Sequence, residues 1–219
     1  MKQKLVESKK WFNSKLAEKG VRALKQNNID ALIVENENDA CQKIINLIPA
    51  GSKIGYGRSL TLEQIGIKKI LSNGGYNFID FLKPGLSEIE KERLCKKSLL
   101  ADVFLMSTNA LSLDGHLVNI DGRGNRVAAL IYGPSRVIIV AGINKIVADD
   151  QTAINRIKNY VAPIHARRRN KHVPCATVGE CVNCHAHDRS CNALVIIEHQ
   201  YFKYKDRIKV IIVKKELGL

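Results

Sequence analysis

Four of the six cysteines lie close together in the sequence, and their spacing is typical of a metal site. Cys175, Cys181, Cys184 and Cys191 form the pattern C-x5-C-x2-C-x6-C within seventeen residues. Two residues between the inner pair let both thiolates face one ion or cluster from a tight turn. Because four thiolates complete a tetrahedral ligand set, the pattern predicts a 4Fe-4S cluster or structural zinc. Unmetallated thiols or redox disulfides are the remaining alternative.

A glycine- and hydroxyl-rich loop at residues 55–63 offers a second kind of chemistry, the binding of a small anion. The loop follows a predicted strand and opens a predicted helix, so backbone amides and hydroxyls can turn toward a phosphate or carboxylate. The candidate ligand-binding residues here are Gly57, Ser59, Thr61 and Glu63. The alternative is a plain strand-to-helix turn in which Ser59 or Thr61 caps the helix.

A second polar loop, residues 107–126, follows another predicted buried strand, where ligands commonly meet strand ends. Asp114, His116 and Asp121 are candidate general acids or bases. The candidate ligand-binding residues are Asn109, Gly115, Asn119, Gly122, Asn125 and Arg126, of which the arginine could hold a carboxylate or phosphate. The alternative is a hairpin whose polar side chains satisfy their own turns. Lys145 could point into the same crevice, although a single lysine is more often a surface charge.

Short apolar runs alternate with helical periodicity along the chain, which predicts an α/β fold with a mostly parallel sheet and helices on both faces. Strands are predicted at 31–34, 52–56, 76–80, 102–106, 137–140, 194–198 and 208–213. Helices are predicted at 3–27, 38–48, 62–71, 87–100, 126–131 and 149–161, with Asn125 as the cap of the fifth. Residues 107–125 are expected to form a long functional loop with a small hairpin. We expect one domain over 1–219, with a basic N-terminal helix at 1–28 and a cysteine-rich loop at 173–192.

Composition narrows the possible partners. The chain has 219 residues and a formal net charge of +14, with basic residues concentrated in 2–25 and 167–172. Both stretches could be solvated helix faces, or they could meet an acidic partner or a phosphate-bearing ligand. Aromatic residues make up only 5%, too few for an obvious base-stacking platform, which argues against nucleic acid. No apolar run is long enough to cross a bilayer and the first residues lack a signal-peptide core, so a cytoplasmic location is expected.

Taken together, these segments resemble the lactate-utilisation (LUD) domain family. The resemblance depends on GRSLTLEQIG at 57–66, TNALSLDGHLVNIDGRGNRVAALIYGP at 108–134 and VIIVAGINKIV at 137–147. It continues through AINRIKNYVAPIHARR at 153–168, the cysteine motif at 174–192 and ELGL at 216–219. The chain looks like a short, stand-alone member with a C-terminal four-cysteine motif. Two positions depart from the family pattern: Arg58 replaces a small residue, and His165 replaces asparagine.

The resemblance implies a Rossmann-like fold similar to the ribose-phosphate isomerase, glucosamine-phosphate deaminase and coenzyme A transferase group. It also implies an accessory or redox component that works with iron–sulfur partner subunits in the oxidation of lactate to pyruvate. A second hypothesis is an isomerase- or transferase-like enzyme that acts on a phosphorylated or coenzyme A-linked metabolite, with a purely structural cysteine site. A third is a non-catalytic scaffold subunit. No motif for a hydride-carrying cofactor is visible, so the chain is not expected to act as a dehydrogenase alone.

Overall fold

A computed structural model describes residues 2–219, apart from the side chain of Lys2, and contains two β-sheets with helices packed around them. The strands of the larger sheet are β1 (Asp30–Val34), β2 (Lys53–Tyr56), β3 (Asn77–Phe78), β4 (Val103–Met106), β7 (Arg136–Gly142) and β10 (Ile208–Val213). Their order is β1-β10-β7-β4-β2-β3, and every neighbouring pair is parallel. The predicted α/β class with a mostly parallel sheet is confirmed.

The strands of the smaller sheet are β5 (Ala110–Ser112), β6 (Leu117–Asp121), β8 (Ile146–Val147) and β9 (Ala193–Ile197), in the order β8-β5-β6-β9. The hairpin β5–β6 is the one predicted within residues 107–125. Those residues do not form a long loop, however, because β9 and β8 pair with the two edges of the hairpin. The sequence-based prediction of a loop was therefore wrong in extent, and it missed this sheet.

The helices are α1 (Lys2–Gln26), α2 (Glu37–Leu47), α3 (Leu60–Gln64), α4 (Ile67–Asn73), α5 (Glu88–Ser98), α6 (Asn125–Ile131), α7 (Asp150–Arg156), α8 (Ala162–Arg168) and α9 (Cys175–Val178). A capping box of Ser87 and Glu90 opens α5, within the helix predicted at 87–100. The predicted helix at 62–71 is two helices, because Gly66 adopts a left-handed φ of 77° between them. Gly124 is the N-cap of α6, so the prediction that Asn125 caps this helix was wrong.

A single helical stretch joins α7 to α8, longer than the predicted 149–161. Between them, Ile157–Val161 forms a π-helical turn in which the Ala162 amide donates to the carbonyl of Ile157, five residues earlier. Pro163 follows directly and has no N–H for the next helical bond, so the wider turn accommodates it. The turn carries the helix on to His165, at the wall of the cavity described below.

Alternating side chains of the central strands bury both faces of the large sheet. Ile138 and Val140 of β7 pack with α2, α3, α4 and α5, whereas Val137 and Ile139 pack with α1 and α6. This alternation follows from the two-residue repeat of a strand covered on both sides. The smaller sheet contributes Leu111 to the second of these cores and covers its other face with α7.

Candidate functional site

A cavity of about 640 Å³ opens where the parallel strands of the large sheet end. Residues directly after β2 (Arg58, Ser59), β4 (Ser107, Thr108) and β7 (Lys145) line it. The carboxyl ends of parallel strands share one edge of a sheet, which is why segments distant in sequence meet there. Other walls come from the end of β6, helices α5, α6 and α8, the π-helical turn before α8, the cysteine-rich loop and the segment after β10.

Lys145 lies at the floor of the cavity and is almost completely buried. Its Nζ donates to the Thr61 Oγ1 at 2.9 Å, the Ser107 Oγ at 2.8 Å and the Thr108 carbonyl at 3.1 Å. No carboxylate lies among these acceptors. Burial, with the positive charge of Arg156 and Arg126, lowers the pKa of Lys145 to about 7. This amine can therefore carry or release a proton near neutral pH.

Arg126 is largely buried, with 13% of its side chain exposed, and organises the second polar loop. Its guanidinium donates to the Asn119 Oδ1 at 2.8 Å, the Asn109 Oδ1 at 3.0 Å and the Ser107 carbonyl at 2.9 Å, and its Nε donates to Asp121 at 3.1 Å. Burial lowers the pKa of Arg126, and the charge of Asp121 opposes that effect. Because its donors are occupied by protein acceptors, Arg126 shapes the cavity and adds positive charge to it.

Asp121 is held by the same network. Its Oδ1 accepts from the amides of Arg123 and Gly124 at 3.2 Å each, and its Oδ2 accepts from Arg126. The carboxylate therefore lies at the cavity but is saturated with donors, an arrangement that favours a structural role for it. Asn109 is similar, because its Oδ1 accepts from the Ile120 amide at 3.0 Å as well as from Arg126.

In the glycine- and hydroxyl-rich loop at residues 55–63, the hydroxyls of the serine and the threonine have different partners. Ser59 caps α3 by accepting from the Leu62 amide at 3.2 Å, whereas Thr61 contacts Lys145. Gly57 lies beneath the loop, where an added Cβ would approach the Cγ of Arg126 to 3.2 Å. Glu63 is exposed and does not line the cavity.

Basic side chains outnumber acidic ones in the cavity lining. The lining contains nine basic residues and two acidic ones. The acidic residues are Glu88 and Asp121. The basic residues are Arg58, Lys91, Arg123, Arg126, Lys145, Arg168, Arg169, Lys171 and Arg189. Burial lowers the pKa of Arg58, and the charges of Arg169, Arg123 and Arg168 lower it further. Burial lowers the pKa of His165, and the charges of Arg168, Arg169, Arg58 and Arg126 lower it further. Such mutual repulsion is relieved by an anion, so the cavity is suited to a negatively charged ligand.

The cysteine-rich loop forms one wall of this cavity, with Cys175, Cys184 and Cys191 among the lining residues. Arg189 ties the loop together by donating to the Cys184 carbonyl at 2.7 Å and the Cys191 carbonyl at 3.1 Å. None of the six cysteines forms a disulfide bond. Burial raises the pKa of Cys175, and the other three cysteines of the motif raise it further, as expected for sulfurs that share one region.

Several predicted site residues lie elsewhere. Asp114, Gly115 and His116 belong to the far turn of the hairpin, packed against α1 and α7, and do not line the cavity. Asn119 lies buried behind Arg126. The predicted residues that do line the cavity are Ser59, Thr61, Asn109, Asp121, Gly122, Asn125, Arg126 and Lys145.

Sequence reasoning missed two features of this cavity. Arg168 and Arg169 line it, although the basic stretch that contains them was interpreted only as a solvated helix face or as a contact for an acidic partner or a phosphate-bearing ligand, without a link to this crevice. The segment after β10 also reaches the cavity, because the Gly218 amide donates to the Gln64 Oε1 at 2.5 Å and Gly218 lines the cavity beside Lys145. Only the long-range folding of the chain places these segments together.

Comparison with known proteins agrees with this architecture. The sequence profile of the LUD domain matches residues 17–213. The chain belongs to the LUD domain family. This LUD domain is similar to the crystal structure of a DUF162 family protein from Deinococcus radiodurans, with a TM-score of 0.52 and 14% identity over 92% of this chain and 98% of that chain. At that identity the likeness concerns the fold alone. No curated protein matches the chain. No helix within residues 2–219 of this LUD domain is both long and apolar enough to cross a membrane.

Proposed function

We propose that this LUD domain binds a small carboxylate in the basic cavity, next to an iron–sulfur cluster held by the four cysteines, and serves as a redox component in 2-hydroxy acid oxidation. The observation that carries the proposal is that the basic residues and three of the cysteines line one cavity. The association of LUD domains with lactate utilisation makes lactate and pyruvate the first ligands to test.

The four cysteines, as the structure places them, could not all hold one zinc ion without moving. In the described chain, no three of the four Sγ atoms lie within 4.8 Å of one another. Four thiolates around one zinc, with bonds of about 2.3 Å, would lie about 3.8 Å apart. A cubane cluster gives each cysteine its own iron and therefore suits more widely spaced sulfurs. When bound, such a cluster supplies one-electron transfer.

The chain's own residues would bind and orient the ligand. Arg58, Arg168 and Arg169 offer guanidinium donors to a carboxylate at the cavity wall. Lys145, with a pKa of about 7, is positioned to accept a proton from the hydroxyl group. Conversion of a 2-hydroxy acid to a 2-oxo acid releases two electrons and two protons. The electrons must leave to a partner protein, which is why the chain is proposed as a component and not as a complete dehydrogenase.

The cluster is tested by anaerobic purification, a visible spectrum, and iron, sulfide and zinc analysis. We expect broad absorbance near 400 nm that bleaches on reduction, with about four irons per chain. Cys184→Ser should remove this signal. Cys41→Ser is the matched control, because Cys41 lies far from the cysteine motif in the sequence. Its buried thiol donates to the Ile65 carbonyl, and a serine hydroxyl can do the same. A colourless protein with about one zinc per chain would contradict the proposal.

The ligand is tested by calorimetric titration with lactate and with pyruvate. We expect binding that weakens with salt, and a loss of about tenfold or more in Arg58→Ala or Arg168→Ala. Arg22→Ala removes an arginine from α1, outside the cavity lining, and should leave affinity unchanged. Equal affinities in all three variants would contradict a carboxylate site in this cavity.

A second candidate function is an isomerase- or transferase-like reaction on a phosphorylated or coenzyme A-linked metabolite. The buried Lys145 favours it, because an amine with a pKa of about 7 can transfer protons without any redox centre. In that case inorganic phosphate should compete with the ligand, and Cys184→Ser should leave ligand affinity intact after folding is verified. The carboxylate proposal expects phosphate to weaken pyruvate binding no more than chloride does at the same ionic strength.

A further inference from the structure

Away from the cavity, one group of metal-ligating side chains converges in the described part of the chain. Asp114, His116 and Asp150 each offer one ligand atom, and these atoms all lie within 4.8 Å of one another. We propose that the three residues form a site for a divalent transition-metal cation, separate from the cysteine motif. This site is independent of the function proposed for the cavity.

The first two ligands lie on a turn with a fixed position. Gly115 between them has a left-handed φ of 84°, and an added Cβ would lie 2.5 Å from the carbonyl carbon and oxygen of Ala23 in α1. The Asn27 Nδ2 donates to the Asp114 carbonyl at 2.8 Å, which ties the turn to the end of α1. The turn therefore has little freedom to move, and its two ligand side chains start from a defined place.

The third ligand comes from the first residue of α7. Asp149 caps this helix by accepting from the Thr152 amide at 2.7 Å, so the backbone at Asp150 is also fixed. The Asp150 Oδ2 lies 2.7 Å from the His116 Nδ1. The three ligands thus belong to two separate structural elements, which a cation would join.

A second observation points to a missing cationic partner. The Asp150 Oδ1 is buried and has no hydrogen-bond partner among the described residues. A buried carboxylate oxygen without a donor is costly, and such atoms are rare in folded proteins. A bound cation supplies the missing interaction and also neutralises the two carboxylates. The hydrogen bond between His116 and Asp150 involves the Oδ2 atom, so it leaves Oδ1 without a partner.

The donor set selects the class of metal. One imidazole with two carboxylates suits Mn²⁺, Fe²⁺ or Zn²⁺, whereas thiolates select softer metals and iron–sulfur clusters. Ligands at about 2.1 Å from a six-coordinate metal lie about 3 Å apart. The pair at 2.7 Å must therefore open by a few tenths of an ångström, and the exposed Asp114 side chain must rotate inward. Water would complete the coordination.

Manganese is the probe that separates this site from the cysteines, because Mn²⁺ prefers oxygen and imidazole ligands to thiolates. The full chain is titrated with Mn²⁺, and binding is measured as the loss of the EPR signal of the free ion. We expect about one bound ion per chain. His116→Ala and Asp150→Asn should each weaken binding by about tenfold or more. Cys184→Ser and His172→Ala, which change the cysteine motif and an exposed histidine, should leave it unchanged.

Folding is controlled within the same experiment. Asp114→Asn changes only an exposed side chain at the turn, so it should retain the fold and still weaken Mn²⁺ binding. Mn²⁺ should also raise the melting temperature of the wild type and not that of Asp114→Asn. No binding at millimolar Mn²⁺, or binding that survives all three ligand substitutions, would overturn the proposal.

Discussion

The buried amine of Lys145 makes the stability of this protein depend on pH in a defined direction. Burial and two neighbouring arginines lower its pKa from 10.5 to about 7, so the folded state favours the neutral amine. The unfolded chain keeps its proton up to about pH 10.5. Between these two values the unfolded state binds more protons, and stability therefore rises as the pH increases. Below pH 7 both states are protonated, so stability no longer changes with pH through this group.

The size of this effect follows from the same two pKa values. From pH 6 to pH 9, the difference in bound protons integrates to a gain of about 3 kcal/mol in the free energy of unfolding. Methionine has nearly the shape of lysine but does not titrate. The unfolding free energy of the wild type minus that of Lys145→Met should therefore increase by about 3 kcal/mol over this range.

Urea unfolding at several pH values measures that difference, and all other titrating groups cancel between the two proteins. Lys97→Met, a substitution at an exposed position on α5, controls for the loss of one positive charge. Saturating anion should reduce the slope, because a negative ligand near Lys145 favours its charged form. If the difference between wild type and Lys145→Met stays constant within about 0.5 kcal/mol from pH 6 to pH 9, the electrostatic account of this lysine is wrong.

Three further substitutions test the supports of the site by urea unfolding. Gly218→Ala should cost about 1–3 kcal/mol, because φ is 67° there and the new Cβ would lie 2.5 Å from the Thr61 Oγ1. Arg126→Lys should cost about 2–4 kcal/mol, because one ammonium cannot replace a guanidinium that donates to five acceptors in the protein. Arg207→Met should cost about 1–3 kcal/mol, because its guanidinium donates to the last carbonyls of α6, with the Leu130 carbonyl at 2.7 Å.

The sequence predicted the large sheet well because its signals are local. The run 137–140 is so apolar that a buried strand is the simplest interpretation, and β7 indeed lies inside the sheet between β10 and β4. The smaller sheet could not be predicted in the same way. Its strand β8 has only two residues, and β9 pairs with β6 across about eighty residues of sequence. Periodicity within a short window contains no information about such distant pairings.

The candidate site shows the same division. Motif reasoning placed Ser59, Thr61, Arg126 and Lys145 near one another, because all follow strands that were predicted to be parallel. Motif reasoning could not distinguish the two ends of the β5–β6 hairpin. His116, at the turn, was therefore grouped with Asn109 and Asp121, which lie at the other end. The burial of a lysine is equally a property of the assembled fold, since nothing in its neighbouring sequence marks Lys145 as buried.

The shared cavity has a consequence for the proposed redox role. A volume of about 640 Å³ corresponds to a sphere about 10 Å across, so an anion at the basic wall and an electron on a cluster at the cysteine wall would lie within about that distance. Two like charges at 10 Å, with an effective dielectric constant of about 20, repel by about 1.7 kcal/mol. Reduction of the cluster should then weaken anion binding by about twentyfold, and by linkage the anion should make reduction harder by the same free energy. The basic residues that line the cavity would oppose this repulsion and reduce the effect.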